Sequence, residues 1–87
     1  MEVIDMIMDY RTQGTCSRSI HIELDGDVIR SVRFFGGCDG NLKGISKLVE
    51  GMNRDEAIAR LKGITCRTKP TSCPDQLARA LEQSKNA

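Results

Sequence analysis

Residues 17–35 read SRSIHIELDGDVIRSVRFF, and the fold follows from how they alternate. Ile20, Ile22 and Leu24 take turns with His21 and Glu23, the period of two that marks a strand with one face in a core and one in water. Asp25-Gly26-Asp27 breaks the alternation with turn-forming residues, and the chain runs back from Val28 to Phe35 with Val28, Val32 and Phe34 expected to face inward. Two such strands joined by so short a loop form an antiparallel hairpin. Upstream, Met6 to Thr12 supplies a third strand, ended by Gly14.

Beyond Phe35 the period changes from 2 to 3.6. After Gly36-Gly37-Cys38-Asp39-Gly40-Asn41, the residues Leu42, Ile45, Leu48, Val49 and Met52 form an apolar stripe at helical spacing, with Lys43 and Lys47 on the wet side. Gly51 closes that helix. A second helix opens at Asn53, a capping residue with Glu56 three positions on, carries Ala57, Ile58 and Leu61, and ends at Gly63. The loop from Gly63 to Ser72 contains Pro70, and Pro74 stands where a first helical residue tolerates proline. The last helix runs from Pro74 to about Gln83 with Leu77, Ala78 and Leu81 inward, and residues 84–87 are expected to fray. Strands first and helices after, without room for parallel crossovers, make the class α+β. The expected architecture is a three-stranded antiparallel sheet in the N-terminal half with three helices from the C-terminal half on one face, all in one domain over residues 1–87.

Composition narrows the function classes. The chain has 87 residues, 39% hydrophobic and 29% charged, the profile of one globular domain. A net charge of +1 gives no field that would make a nucleic acid or an anionic membrane the main partner. Tyr10, Phe34 and Phe35 are the only aromatics, too few to build the stacking platforms of single-strand binders. A chain this short buries only about 60–65% of its unfolded surface, so a staple, a metal or a homo-oligomeric interface would help it. The first nine residues carry acids inside their apolar run and no basic start, unlike a secretory signal, and no apolar run approaches the roughly 20 residues of a membrane span. The expected location is cytoplasmic, where clustered cysteines bind metal or do redox work more often than they form disulfides.

The cysteines are Cys16, Cys38, Cys66 and Cys73. Cys16 precedes the first clear strand, Cys38 lies between the last strand and the first helix, and Cys73 stands at the start of the last helix. Cys38 and Cys73 thus sit at helix N-termini, where unpaired N–H groups and the helix dipole favour a thiolate. Gly36, Gly37 and Gly40 would let backbone approach an atom bound near Cys38. No Cys-x-x-Cys pair exists, so a metal site has to be assembled by the tertiary fold. Three readings stay open. Thiolates of Cys16, Cys38 and Cys73, with Cys66 or a carboxylate as fourth ligand, suit zinc or an iron–sulfur cluster. Alternatively, Cys73 attacks and Cys66 resolves in a thiol redox partner. Finally, the cysteines merely pack in a structural or regulatory module. His21, on the polar face of its strand, reads as a surface residue, and Asp75 in the first turn of its helix as a complement to the dipole.

Thr71-Ser72-Cys73-Pro74-Asp75 spells the motif that names the TSCPD domain, and the chain resembles that family elsewhere too. Gly14-Thr15-Cys16-Ser17, Gly36-Gly37-Cys38-Asp39-Gly40-Asn41-Leu42 and Gly63-Ile64-Thr65-Cys66 look like the other blocks of its short, stand-alone members, so the resemblance covers nearly the whole chain. TSCPD domains are also found fused to ribonucleotide reductases. The resemblance therefore implies an accessory, thiol- or metal-bearing domain with a ribonucleotide reductase as a partner. Reductase chemistry itself needs a radical-bearing barrel several times larger than this chain.

A looser similarity is to the U-type iron–sulfur cluster scaffolds. They share the hairpin, the Gly-Cys-Gly-type turn, a Gly-x-x-x-(Asp/Glu)-Glu-Ala segment and a cysteine opening a late helix. The corresponding positions here are Cys16, Cys38, Gly51 to Ala57 and Cys73. That similarity implies the same fold and an iron–sulfur assembly protein as partner, but Ser72 stands where the scaffolds carry a histidine ligand.

Overall fold

The computed structural model describes residues 4–15, 17–37, 39–65 and 68–85, so Cys16, Cys38 and Cys66 lie outside the described residues. Three antiparallel strands, β1 (Met6–Arg11), β2 (Ser17–Asp25) and β3 (Val28–Gly36), form a sheet in the order β1-β2-β3. Three helices follow: α1 (Asp39–Val49), α2 (Arg54–Leu61) and α3 (Cys73–Ser84). The class is α+β, as the order of periods implies.

Alternation in β2 places Ile20, Ile22 and Leu24 wholly out of water on one face. They meet Val49 of α1, Ala57 of α2 and Leu77, Ala80 and Leu81 of α3 in a single apolar cluster. All three helices therefore cover the same face of the sheet. Met6, Met8 and Tyr10 of β1 pack on the edge of that cluster, while the intervening Ile7 points outward.

In β3 the inward set differs from simple alternation. Glu23 pairs with Ser31 and Leu24 with Ile29, so Arg30 is an extra residue in a bulge. The bulge shifts the phase by one. Ile29, rather than Val28, is fully buried, and from Val32 onward the even positions face inward as expected. Val28 instead bridges to Asn53, where the chain enters α2.

The stripe of α1 is also narrower than its spacing suggests. Leu42 and Val49 are buried, but Leu48 is 76% exposed. Helix α1 touches the sheet chiefly along β3, and a helix with one neighbour buries one narrow strip. Leu48→Ala is accordingly expected to change stability by less than about 0.5 kcal/mol. Val49→Ala, which opens a cavity beside the buried Ile29, is expected to cost about 2 kcal/mol, and urea denaturation of the two variants checks the contrast.

Capping follows the sequence closely. Asn53 Oδ1 accepts from the Asp55 N–H at 2.8 Å at the start of α2. Glu56 does not close a reciprocal box but accepts from Arg60 one turn on. Gly51 ends the α1 connection with φ +86°, a left-handed conformation that suits glycine. The last helix extends further than expected. Ser84 is helical and buried rather than frayed, because Arg54 Nη1 donates to its hydroxyl at 3.0 Å while Arg54 Nη2 pairs with Asp27 at 2.8 Å. No helix among the described residues is long and apolar enough to cross a membrane.

Candidate functional site

One end of the sheet is built around Thr71-Ser72-Cys73-Pro74-Asp75, and every residue of the motif has a local task. Ser72 is the N-cap of α3: its hydroxyl accepts from the Asp75 N–H at 3.2 Å and donates to the Ile64 carbonyl at 2.6 Å. One side chain thus starts the helix and ties the α2–α3 loop to it. Pro74 occupies the first turn, where its missing N–H leaves no bond unmade. Thr71 donates to Asp75 Oδ2 and accepts from Gln76 Nε2 at 3.0 Å.

Asp75 does far more than complement a dipole. Its carboxylate is 1% exposed, and it accepts from the Gly63 N–H at 2.7 Å, from Thr71 and from Arg79 Nε at 2.8 Å. Burial pushes its pKa up, but the bonds from Thr71, Gly63 and Arg79 outweigh that and hold it below the usual carboxylate value. The network continues outward, because Gln76 Oε1 accepts from the Gln13 N–H at 3.0 Å in the β1–β2 loop. Gly14 in that loop has φ +73°, and a Cβ there would lie 3.2 Å from Thr71 Cγ2. The left-handed backbone favours glycine, and the close methyl leaves little room for a larger residue. The loops on either side of α3 are therefore bound to its first turn through one connected set of hydrogen bonds.

Cys73 opens α3 and is 7% exposed. Its Sγ lies 3.2 Å from the Ser17 hydroxyl, across from the first residue of β2. Ser17 is itself buried, and its carbonyl accepts from Thr12 at 2.6 Å, which fixes the hydroxyl opposite the thiol. Beside Cys73 is a pocket of about 410 Å³. Its walls are Gly14 and Thr15 from the β1–β2 loop, Asn41 and Leu42 from the start of α1, Lys69 from the α2–α3 loop, and the first turn of α3. Gly36 and Gly37 both take left-handed conformations, with φ +85° and +86°, to turn the chain from β3 towards α1. Gly40 lies within α1, and a Cβ there would meet nothing within 4 Å.

The TSCPD domain family model matches residues 4–85. The chain belongs to the TSCPD domain family. No curated protein and no solved structure matches the chain. In this TSCPD domain the five motif residues divide into one pocket-facing thiol, Cys73, and four residues that build and anchor its surroundings.

Of the site residues expected from sequence, the TSCPD domain places Cys73 at the pocket, and Cys16, Cys38 and Cys66 lie outside the described residues. Among the described residues no group of three or more His, Cys, Asp or Glu side chains is arranged to hold a metal ion. His21 is far from the pocket, on the sheet face that the helices leave open. Its Nδ1 lies 2.8 Å from Asp9 and its Nε2 3.0 Å from Glu23. The hydrogen bonds to Glu23 and then Asp9 raise its pKa above 6.5 against a smaller effect of burial. A raised native pKa makes the charged pair stabilising below the unfolded value, and the gain fades as pH rises through the native one. His21→Gln is therefore expected to cost less than about 1 kcal/mol near pH 6 and almost nothing at pH 8.5, read from urea midpoints across pH.

Ser17 and Gln76 are the residues that periodicity missed. Nothing in alternation or helical spacing singles out a serine at a strand start or a glutamine in a first turn. Only the adjacency of Ser17 to Cys16, and of Gln76 to Asp75, could have drawn attention to them.

Proposed function

We propose that this TSCPD domain is a small accessory domain that binds zinc or an iron–sulfur cluster through Cys16, Cys38 and Cys73, with Cys66 as the fourth ligand. The observation that carries the reading is the pocket beside Cys73, whose other walls come from the chain segments that flank the remaining cysteines. Gly14 and Thr15 precede Cys16, Asn41 and Leu42 follow Cys38, and Lys69 follows Cys66. Four sulfur donors suit zinc or iron and disfavour magnesium or calcium, and a full set of four leaves no open position for catalysis. When bound, such a group would cross-link the β1–β2 loop, the start of α1 and the α2–α3 loop to α3.

Ser72 bears on the choice of the fourth ligand. Its hydroxyl both caps α3 and holds the Ile64 carbonyl, so the position where U-type scaffolds carry a histidine has a structural task here. That leaves Cys66, two residues beyond Ile64, as the sulfur nearest in sequence to Cys73. The same tie supports a second reading, in which Cys66 and Cys73 form a dithiol pair that passes electrons to a partner. In both readings the partner proposed is a ribonucleotide reductase or an iron–sulfur assembly protein, and the domain performs no reductase chemistry alone.

Elemental analysis and visible absorption of anaerobically purified, tag-free protein decide between them. The metal reading expects about one equivalent of zinc, or iron with sulfide, reduced in each single Cys→Ser variant. Less than about a tenth of an equivalent, unchanged by reconstitution, would sink it. For the redox reading, the alkylation rate of Cys73 against pH is the measurement. A thiol that titrates near the ordinary value of about 8.5 would remove the activation on which that reading depends.

A further inference from the structure

A second surface lies away from the cysteine pocket, along β3. This strand is one edge of the sheet. Its first residues are already covered, because Ile29 N donates to the Met52 carbonyl at 2.9 Å and Ile29 O accepts from the Gly51 N–H at 2.7 Å. From Ser31 to Gly36 the outer edge has no backbone hydrogen bond to another element among the described residues. A groove of about 600 Å³ runs beside that stretch, between β3 and α1. Val32, Phe34 and Leu42 line it with apolar surface, and Arg33, Lys43 and Lys47 add three cations. Glu50 is the single carboxylate lining it among the described residues, and it lies 3.9 Å from Lys47, which is 83% exposed.

We propose that this edge accepts an extended, acidic segment of a partner protein as a fourth strand. Six strand positions span about 20 Å, long enough for a short peptide to satisfy the open N–H and C=O groups while alternate side chains enter the groove. The cations select the sign of the occupant. A second copy of this chain, paired edge to edge, would set Arg33, Lys43 and Lys47 against their own kind, which opposes self-association. A single-stranded nucleic acid would find no strand ladder to complete and, on this wall, only the part-buried Phe34 to stack upon.

The test titrates the full chain with fluorescein-labelled eight-residue peptides, following anisotropy and backbone amide shifts at low salt. A peptide alternating Glu and Val is expected to bind and to shift amides of residues 31–36. The same peptide with a central Val replaced by Pro, which removes one N–H, is expected to fail, as is a Lys/Val peptide. Lys43→Glu with Lys47→Glu is expected to weaken the acidic peptide by at least about tenfold while the backbone amide shifts of β1 and β2 stay native. Four results would overturn the proposal: no acidic-peptide binding at about 1 mM, equal binding of the Lys/Val peptide, tighter binding of oligouridylate at the same residues, or a dimer in sedimentation that protects residues 31–36.

Discussion

Asp75→Ala is expected to be among the most damaging single substitutions in the chain, lowering stability by about 3 kcal/mol. The loss has a countable origin. Alanine leaves the buried Thr71 hydroxyl without its acceptor, which costs about 1–3 kcal/mol, and removes the charged acceptor of the Gly63 N–H, a bond of a kind that contributes about 1.5–3 kcal/mol. Arg79, whose side chain is half in water, loses its partner at little cost. In a domain of this size about 3 kcal/mol corresponds to a fall in Tm of roughly 12–24 °C. Asp75→Asn keeps the shape but turns one acceptor into a donor facing Arg79 and Thr71, so it is expected to lose a large part of the same stability.

The pH profile separates charge from shape. Because the native carboxylate titrates below its ordinary value of 3.8, its contribution is present above that value and disappears as pH falls through the lower native one. Native protein and Asp75→Asn should therefore differ at pH 7 and converge as pH falls below 3.8 through the lower native value in urea denaturation. Parallel profiles across that range would show that the carboxylate charge contributes nothing.

What the sequence revealed of this fold was what depends on near neighbours in the chain. The alternation of β2, the hairpin at Gly26, the cap at Asn53 and the left-handed Gly51 are each specified within a few residues, and each appears in place. The features that escaped are set by partners far away. The bulge at Arg30 depends on how Val28 meets Asn53, and the exposure of Leu48 depends on α1 having β3 as its main neighbour. Ser84 is helical because Arg54, thirty residues earlier, reaches its hydroxyl.

The candidate site divides the same way. Periodicity located Cys73 at a helix start, which is a local fact. It did not reveal that Ser17 would face the thiol or that Asp75 would anchor Gly63, because those contacts span 56 and 12 residues. The motif carried that information only as a string of residue types whose tasks emerge once three loops meet.

On the proposed metal reading, removing the bound group is expected to have the other large effect. A group bound in common by Cys16, Cys38, Cys66 and Cys73 would cross-link the β1–β2 loop, the start of α1 and the α2–α3 loop to α3, and it would bind only the folded arrangement. At a free concentration about a thousandfold above its Kd, such a ligand stabilises the native state by about 4 kcal/mol. That is worth roughly 16–32 °C in Tm for a domain this short. The stripped protein should nonetheless stay folded at 25 °C, because Ile20, Ile22, Leu24, Leu77 and Leu81 are wholly buried without help from the pocket. The loss should concentrate at one end, with faster amide exchange in residues 12–15 and the first turn of α3 and little change in β2. Cys73→Ser should melt like the stripped protein without any chelator, since its hydroxyl can still meet Ser17 but is a far poorer ligand than a thiolate. If loaded and chelator-treated samples melt within about 2 °C of each other, the bound group is not the staple that this thin core calls for.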